Sequence, residues 1–380
     1  MQAVILGGGK GVRLGALASG SAKPLIDVGG KPFAQHLIDN LRRFGFTDIV
    51  ILAGPFARDY AARLADAGGT RLQLHLVPED EPAGTAGALL YAQHLLQPEF
   101  LLLNGDSFFD INLLDLAMRG HANDKLATLA LVEADNTERY GGVKLDGDSI
   151  ARFDEKIAAG RGVVNAGIYW LRRDILSAIR TPPISFEHSV LPLLAKQHQV
   201  AGVIYRANFI DIGVPDDLMS ARESMPKWLR RPTAFLTRGC ILSRADNDVC
   251  RSAEFVWLPG AQCAIKRLND HGYLVVGMAT NETGIASGFC DVDAVEQFHR
   301  RINVELVNGG AHIDAVYCDG RKPASGLLLR ALHDWSIDCT ASFMIGDQDV
   351  DLQTAWAAHI KGVPATGNID ELIRSLIGEA

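Results

Sequence analysis

No stretch of this chain approaches the ~20 consecutive apolar residues that a membrane-spanning helix requires. The opening Met1–Leu6 run and its glycines carry no basic segment and no long apolar segment, so no signal peptide is expected and a cytoplasmic location follows. Positive charge is in deficit. There are 37 Lys and Arg against 45 Asp and Glu, a net charge of −8, and without a basic face there is no counterion release to drive binding to nucleic acid or an acidic membrane. Cysteine is absent from the first 239 residues. The six that exist, Cys240, Cys250, Cys263, Cys290, Cys318 and Cys339, form no CxxC and no zinc-finger spacing. They read as reduced core thiols, and their confinement to one end hints at two units of different origin. There is no short-period repeat and no low-complexity tract. What remains is ordinary globular composition, 48% hydrophobic and 22% charged over 380 residues, long enough for two domains.

Up to about residue 220, short apolar runs alternate with helical patterns. Residues 3–6, 49–52, 72–77, 100–106 and 128–133 are almost continuously apolar, as buried strands of a covered sheet are. Between them, residues 31–45, 57–69 and 84–96 place apolar side chains at i, i+3, i+4 spacing, with Gly45 and Gly68 as C-terminal stops. This alternation predicts a doubly wound, mixed, mostly parallel Rossmann-like α/β sheet. The charged, proline-bearing stretch 220–234 predicts the end of a helix and then a linker, which divides the chain into residues 1–224, a linker 225–232, and residues 233–380. A second, smaller α/β alternation follows, with strands at 234–239, 274–281, 314–318 and 342–347 and helices near 260–270, 291–307, 326–335 and 351–359.

After the first strand comes Leu6-Gly7-Gly8-Gly9-Lys10-Gly11-Val12-Arg13. Glycines let backbone N–H groups close on phosphate oxygens. The spacing satisfies neither the Rossmann nor the Walker fingerprint, and a glycine turn alone is as well a tight connection. Downstream, Arg13 and Lys23 supply two cations suited to a triphosphate. Gly84-Thr85-Ala86-Gly87 opens a helix, whose N-terminus admits a ring or a phosphate. Asn104 and Asp106 end an apolar strand, where ligands of open α/β sheets bind and where an aspartate can hold Mg²⁺.

The ordered set GGGKGVRL, AKPLIDVGGKP, GTAGA, NGDSFFD, FDEK, NAGIYWL and FIDIGVPDDL resembles the sugar-1-phosphate nucleotidylyltransferases over about residues 1–220. NGDSFFD, FDEK, the SFEHSVLPLL segment and FIDIGVPDDL are most similar to guanylyltransferases of D-glycero-α-D-manno-heptose 1-phosphate. Enzymes acting on mannose 1-phosphate or N-acetylmuramate 1-phosphate are alternatives. The resemblance implies an NTP, GTP favoured, as one substrate and a sugar 1-phosphate as the other. It implies nucleotide contacts from Leu6, Gly7, Gly8, Gly9, Gly11, Arg13, Glu79, Gly84, Thr85, Ala86, Asn104 and Gly105. Arg13 and Lys23 would neutralise the triphosphate and the leaving pyrophosphate, and Asp106 and Asp211 would hold Mg²⁺. Tyr140, Gly142, Glu155, Lys156, Asn165 and Gly167 would receive the sugar phosphate. One departure is visible: Ala22 stands before Lys23 where the family usually has proline. The implied chemistry is direct in-line displacement, which rests on positioning and charge neutralisation and needs no covalent protein intermediate.

From about 232 to 375 the chain resembles haloacid-dehalogenase-like phosphatases of the histidinol-phosphate and heptose-bisphosphate group. GMATNETG carries Thr280 and Asn281, GRKPASG carries Lys322, and SFMIGDQDVD carries Asp347 and Asp351. The first motif of that family needs two aspartates. Here Thr237 stands at the nucleophile position and Gly239 at the acid/base position, and neither can do that work unaided. The resemblance therefore implies a catalytically degenerate phosphatase domain, with no activating base visible for Cys240 as a substitute nucleophile. Asp347 and Asp351 remain able to bind a cation weakly, and a domain without chemistry has room for an interface role, including a homo-oligomer. Two other readings stand beside this one. They are a bifunctional transferase and bisphosphate phosphatase, and a sugar-phosphate sensor without turnover.

Overall fold

The computed structural model describes residues 1–379 apart from 10, 18–19, 66–71, 136–141, 155–159, 244–255, 280–291 and 319–324. The chain divides into two compact units, Met1–Lys227 and Trp228–Ala380.

The first unit contains β1 (Gln2–Leu6), a short hairpin of β2 (Asp27–Val28) and β3 (Lys31–Pro32), β4 (Asp48–Gly54), β5 (Gln73–Pro78), β6 (Glu99–Asn104), β7 (Ser107–Phe109), β8 (Ala127–Ala134), β9 (Gly142–Asp146), β10 (Ser149–Asp154), β11 (Gly162–Arg172), β12 (Val200–Tyr205) and β13 (Phe209–Asp211). Nine of these strands form one sheet in the order β5-β4-β1-β6-β11-β8-β12-β10-β9, while β7 and β13 pair separately. Val4, Ile5, Ile49 to Leu52 and Phe100 to Leu103 are all buried, as their unbroken apolar runs require of strands covered on both faces.

The sheet is mixed but not mostly parallel. β5, β4, β1 and β6 run parallel, as do β8 and β12. β11 lies antiparallel between β6 and β8, and β10 pairs antiparallel with both β12 and β9. Four of the eight neighbouring pairs are thus antiparallel, because a buried apolar strand such as 164–171 looks the same in sequence whichever way it runs. The linker expected from residue 225 also begins later. The helix Pro215–Trp228 continues through Pro226, which lies in its last turn and has no N–H to donate to the turn before it.

The cleft follows from topology. From β1 the sheet grows to one side through β4 and β5 and to the other through β6, so the strand order reverses between β1 and β6, where an open α/β sheet leaves a crevice at its C-terminal edge. Register places Leu6 opposite both Leu52 and Asn104, bringing three strand ends to one level.

The second unit adds β14 (Thr233–Thr237), the short pair β15 (Leu242–Ser243) and β16 (Val256–Trp257), then β17 (Leu274–Ala279), β18 (Ala315–Cys318), β19 (Phe343–Gly346) and β20 (Lys361–Pro364). Its main sheet, ordered β18-β17-β14-β19-β20, is wholly parallel. Alternation within β14 sends Leu236 into a core with Ile265, Leu268, Ile302 and Ile373, and Phe235 into another with Leu328, Ala331, Met344 and Ala355. Two cores on opposite faces are what a covered parallel sheet demands. Among the described residues no helix is long and apolar enough to cross a membrane.

Leu102 is wholly buried at the centre of β6, two residues before Asn104. Leu102→Ala should cost about 2–5 kcal/mol through lost burial and an unfilled cavity, measured as a lower denaturant midpoint for the first unit.

Candidate active site

The glycine loop is held from both sides of the switch point. Gly7 N–H donates to the Leu52 carbonyl at 2.9 Å, and Gly105 N–H donates to the Leu6 carbonyl at 3.1 Å. This second contact admits no side chain, since a Cβ on Gly105 would lie 2.4 Å from the Leu6 oxygen. The Tyr60 hydroxyl, buried beneath the loop, donates to the Gly7 carbonyl at 3.0 Å. Burial, and then the charge of Asp106, raise its pKa, so it remains a neutral donor. Lys23 N–H reaches the Gly9 carbonyl at 3.1 Å, tying the cationic segment to the loop.

Above these strand ends lies a cavity of about 570 Å³. The loop and β1 contribute Leu6, Gly8 and Gly9; Gly84 and Thr85 contribute the start of the helix Gly84–Tyr91; and Asn104, Gly105 and Asp106 close the far wall. Lys23 and Glu79 complete the polar lining that the sequence had nominated. Lys23 Nζ and Asp106 Oδ2 are 2.8 Å apart, with 11% and 25% of their side chains exposed. This is a half-sheltered pair in which each charge has its partner. Glu79 Oε2 accepts from Ala83 N–H at 3.4 Å. Burial holds its carboxyl above the usual carboxylate range, partly offset by that hydrogen bond.

Asp211 reaches the site from β13. It pairs in register with Ser107 on β7, so Asp106 and Asp211 sit at adjacent levels of two bonded strands, and Ile212 N–H donates to the Asp106 carbonyl at 2.8 Å. The Asp211 carboxylate accepts from Gly213 N–H at 2.6 Å and from the Ser107 hydroxyl at 3.3 Å. A Cβ on Gly213 would lie 3.7 Å from an Arg13 guanidinium nitrogen, which brings Arg13 to the same corner. Two carboxylates with only hard oxygen donors suit Mg²⁺, which keeps several waters and takes its remaining ligands from phosphates. Among the described residues no group of three or more His, Cys, Asp or Glu forms a preassembled metal cage.

Asn165 and Gly167 lie on β11 behind this wall. Asn165 Oδ1 accepts from Gly167 N–H at 3.1 Å, and its Nδ2 donates to the buried Tyr169 hydroxyl at 2.8 Å. A Cβ on Gly167 would lie 2.8 Å from Asn104 Nδ2, so Asn104 and the Asn165 segment are in contact. Gly142 opens β9, and neither it, Gly7, Gly11, Ala86, Asn165 nor Gly167 lines the cavity, while Arg13 and Asp211 stand at its corner outside the lining. Tyr140, Glu155 and Lys156 lie outside the described residues.

Two features escaped the sequence. The Thr85 hydroxyl, at the cavity wall, donates to Glu187 Oε2 at 2.9 Å while accepting from Phe186 N–H at 2.8 Å. Glu187 itself lines the cavity. Its partner is 102 residues away in sequence, and the local signal was its place in the SFEHSVLPLL segment. The helix start is strapped to this segment by main chain as well, with Ile184 N–H donating to the Ala83 carbonyl and Ala86 N–H to the Ile184 carbonyl.

In the second unit, Thr237 ends β14 and Asp347 follows β19, its parallel neighbour. The Thr237 hydroxyl donates to Asp347 Oδ1 at 3.1 Å. A Cβ on Gly239 would lie 2.4 Å from Asp347 Oδ2, so Asp347 fills the space that a side chain at 239 would take. Asp351 is almost wholly buried. Burial pushes the Cys240 thiol up to about 12, which keeps it protonated and a poor nucleophile. Thr280, Asn281 and Lys322 lie outside the described residues.

Residues 2–227 match the family model described as nucleotidyl transferase. The chain belongs to the nucleotidyl transferase family. It is 34% identical over 219 residues to the D-glycero-alpha-D-manno-heptose 1-phosphate guanylyltransferase of Campylobacter jejuni, a match covering 57% of this chain and 96% of that protein. It is 32% identical over 252 residues to the mannose-1-phosphate guanylyltransferase catalytic subunit beta of Danio rerio, covering 62% of this chain and 70% of that one. Among solved structures, HddC from Yersinia pseudotuberculosis complexed with GMP-PN superposes with a TM-score of 0.53 at 29% identity, covering 59% of this chain and 99% of that chain. All three matches leave much of the second unit of the nucleotidyl transferase chain uncovered.

Gly84 has φ +77°, and a Cβ there would lie 2.5 Å from the Ile184 carbonyl oxygen. Gly84→Ala should therefore cost about 1–2 kcal/mol from the left-handed backbone alone, with the clash added. A lowered Tm of the first unit checks this.

Proposed function

We propose that this enzyme transfers GMP from GTP to a sugar 1-phosphate, releasing pyrophosphate and forming a GDP-sugar for surface-polysaccharide synthesis. The observation that carries the reading is the Lys23–Asp106 pair at one wall of a cavity whose floor is glycine backbone and whose other wall presents Glu79. A phosphate chain laid along the loop would meet backbone N–H groups and Lys23, with Arg13 nearby, and its negative charge would replace Asp106 as the lysine's partner. Mg²⁺, held by Asp106 and Asp211, would neutralise charge on the triphosphate. The sugar phosphate oxygen attacks the α-phosphorus in line, a new P–O bond forms, and the bond from the α-phosphorus to the β-phosphate oxygen breaks. Pyrophosphate departs with that electron pair. Lys23 and Arg13 stabilise the charge that grows on the leaving group, and no side chain needs to accept a proton or form a covalent bond.

Glu79 supports guanine over the other bases. Guanine's Watson–Crick edge offers two adjacent donors, N1–H and the N2 amino group, and one carboxylate can accept both. Adenine and cytosine place a ring acceptor there, and uracil flanks its single N–H with two carbonyls. The guanylyltransferase relatives agree with this choice. D-glycero-α-D-manno-heptose 1-phosphate is the favoured acceptor, supported by the relative that this chain matches over 96% of its length. Mannose 1-phosphate is the second reading, supported by the mannose-specific relatives. The second unit is a haloacid-dehalogenase-like phosphatase scaffold without turnover, supported by Thr237 and Gly239 at the acid positions and by Asp347 closing over the gap.

Pyrophosphate release should be measured for each NTP against heptose, mannose, glucose and N-acetylmuramate 1-phosphates with Mg²⁺. A strong signal is expected with GTP and one acceptor, reduced about 10²-fold or more in Asp106→Asn. Orthophosphate release from a sugar bisphosphate should stay at background. No pyrophosphate from folded protein with any pair would overturn the assignment.

The Glu79 carboxyl is held high by burial, and the ionised form is the one that accepts from guanine. KM for GTP should therefore rise as pH falls, starting above the usual carboxylate range, and Glu79→Gln should flatten that profile while raising KM throughout. In the unliganded protein the sign is opposite for stability. A raised acid contributes stability when protonated and loses it as pH rises through its folded pKa.

A further inference from the structure

Tyr60 belongs to the helix Ala57–Arg63 and takes no part in lining the cavity. Its side chain is wholly buried beneath the glycine loop. The two fit closely. A Cβ on Gly7 would lie 2.6 Å from the Tyr60 hydroxyl oxygen and 2.9 Å from Ile51 Cγ2. The bare glycine at 7 is what lets the phenol reach the main chain and donate to the Gly7 carbonyl at 3.0 Å.

This contact fixes more than one oxygen. The Gly7–Gly8 peptide is trans, and a trans peptide is planar, so its carbonyl and the following N–H project to opposite sides. Tyr60 draws the Gly7 carbonyl down into the core, away from the cavity. The Gly8 N–H is thereby turned the other way, and Gly8 lines the cavity. The backbone alone does little to keep that choice. Turning the peptide over changes ψ at Gly7 and φ at Gly8, and glycine accepts φ of either sign. A residue with a Cβ at 8 would resist the turn by its own sterics. The flanking groups have separate anchors: Gly7 N–H donates to the Leu52 carbonyl at 2.9 Å, and the Gly9 carbonyl accepts from Lys23 N–H at 3.1 Å. Tyr60 anchors the peptide between them.

Resting on the reading of this protein as an enzyme that binds GTP in this cavity, we propose that Tyr60 is a positioning residue whose hydroxyl holds the Gly7–Gly8 peptide in the orientation that presents the Gly8 N–H to the nucleotide. Tyr60 touches no substrate. Without its hydroxyl the peptide turns over in part of the population. In that part the Gly7 carbonyl faces the cavity, and an acceptor oxygen meets the acceptor oxygens of the nucleotide. Apparent affinity then falls in proportion to the molecules left in the competent orientation.

Tyr60→Phe removes the hydroxyl and keeps the ring. KM for GTP should rise about fivefold or more. KM for the sugar 1-phosphate should stay within twofold of wild type. So should kcat at saturating GTP, because bound nucleotide restores the competent orientation. Tm should fall by about 2–4 °C. Ile150→Val serves as the control. Ile150 is wholly buried in β10, which β11, β8 and β12 separate from β6 in the sheet. Its truncation should lower Tm comparably and leave KM for GTP unchanged. A lowered Tm in Tyr60→Phe with unchanged KM for GTP would overturn the proposal and leave Tyr60 a core residue. A loss confined to kcat, equal rises in both KM values, or a matching rise in Ile150→Val would overturn it too. Wild-type turnover with GTP and a sugar 1-phosphate is measured first. Its absence would count against the enzyme reading itself, separately from the role of Tyr60.

Discussion

Everything in the first unit depends on one close approach, where Gly105 Cα packs against the Leu6 carbonyl. Two parallel strands leave the sheet at the same level, and their exits nearly touch because neither carries a side chain at the contact. The loop after β1 is thereby pressed against the strand that delivers Asn104 and Asp106. A wider separation would part the glycine-loop backbone from the carboxylate and its lysine. The same economy of side chains recurs on the other flank, where a Cβ on Gly54 would lie 2.9 Å from Gly8 Cα. The glycines of the loop therefore do two jobs: they turn the chain, and they let three strand ends converge.

Much of this was legible before any coordinates. The runs at 3–6, 49–52 and 100–104 announced themselves because strands buried on both faces must be apolar throughout, and Asp106 stood out because it interrupts such a run. Strand direction was not legible. Tyr169, Trp170 and Leu171 are buried whichever way β11 runs, and only its pairing with Leu101, Leu102 and Phe100 reveals the antiparallel insertion. Nor was the extent of the helix through Pro226, because a proline near a helix end and a proline in a linker leave the same trace in sequence.

The candidate site divides along similar lines. Backbone-binding glycines and strand-end acids carry a local signature, and the cavity collects most of them. Contacts across the fold carry none. Lys23 meets Asp106 across 83 residues and Thr85 meets Glu187 across 102. A threonine at a helix start stood out as a ligand contact and does line the cavity, but nothing local announced that its hydroxyl also holds Glu187.

The arrangement at Asp347 constrains how the second unit can change. Its carboxylate occupies the room beside residue 239 and is held there by Thr237. An acidic side chain gained at 239 would meet like charge at contact distance, and one gained at 237 would replace the hydroxyl donor with a second anion. Each of these single changes is thus unfavourable by itself without a cation or a further substitution to relieve it. The present pair of residues at 237 and 239 is held in place by the carboxylate that occupies the gap between them and β19.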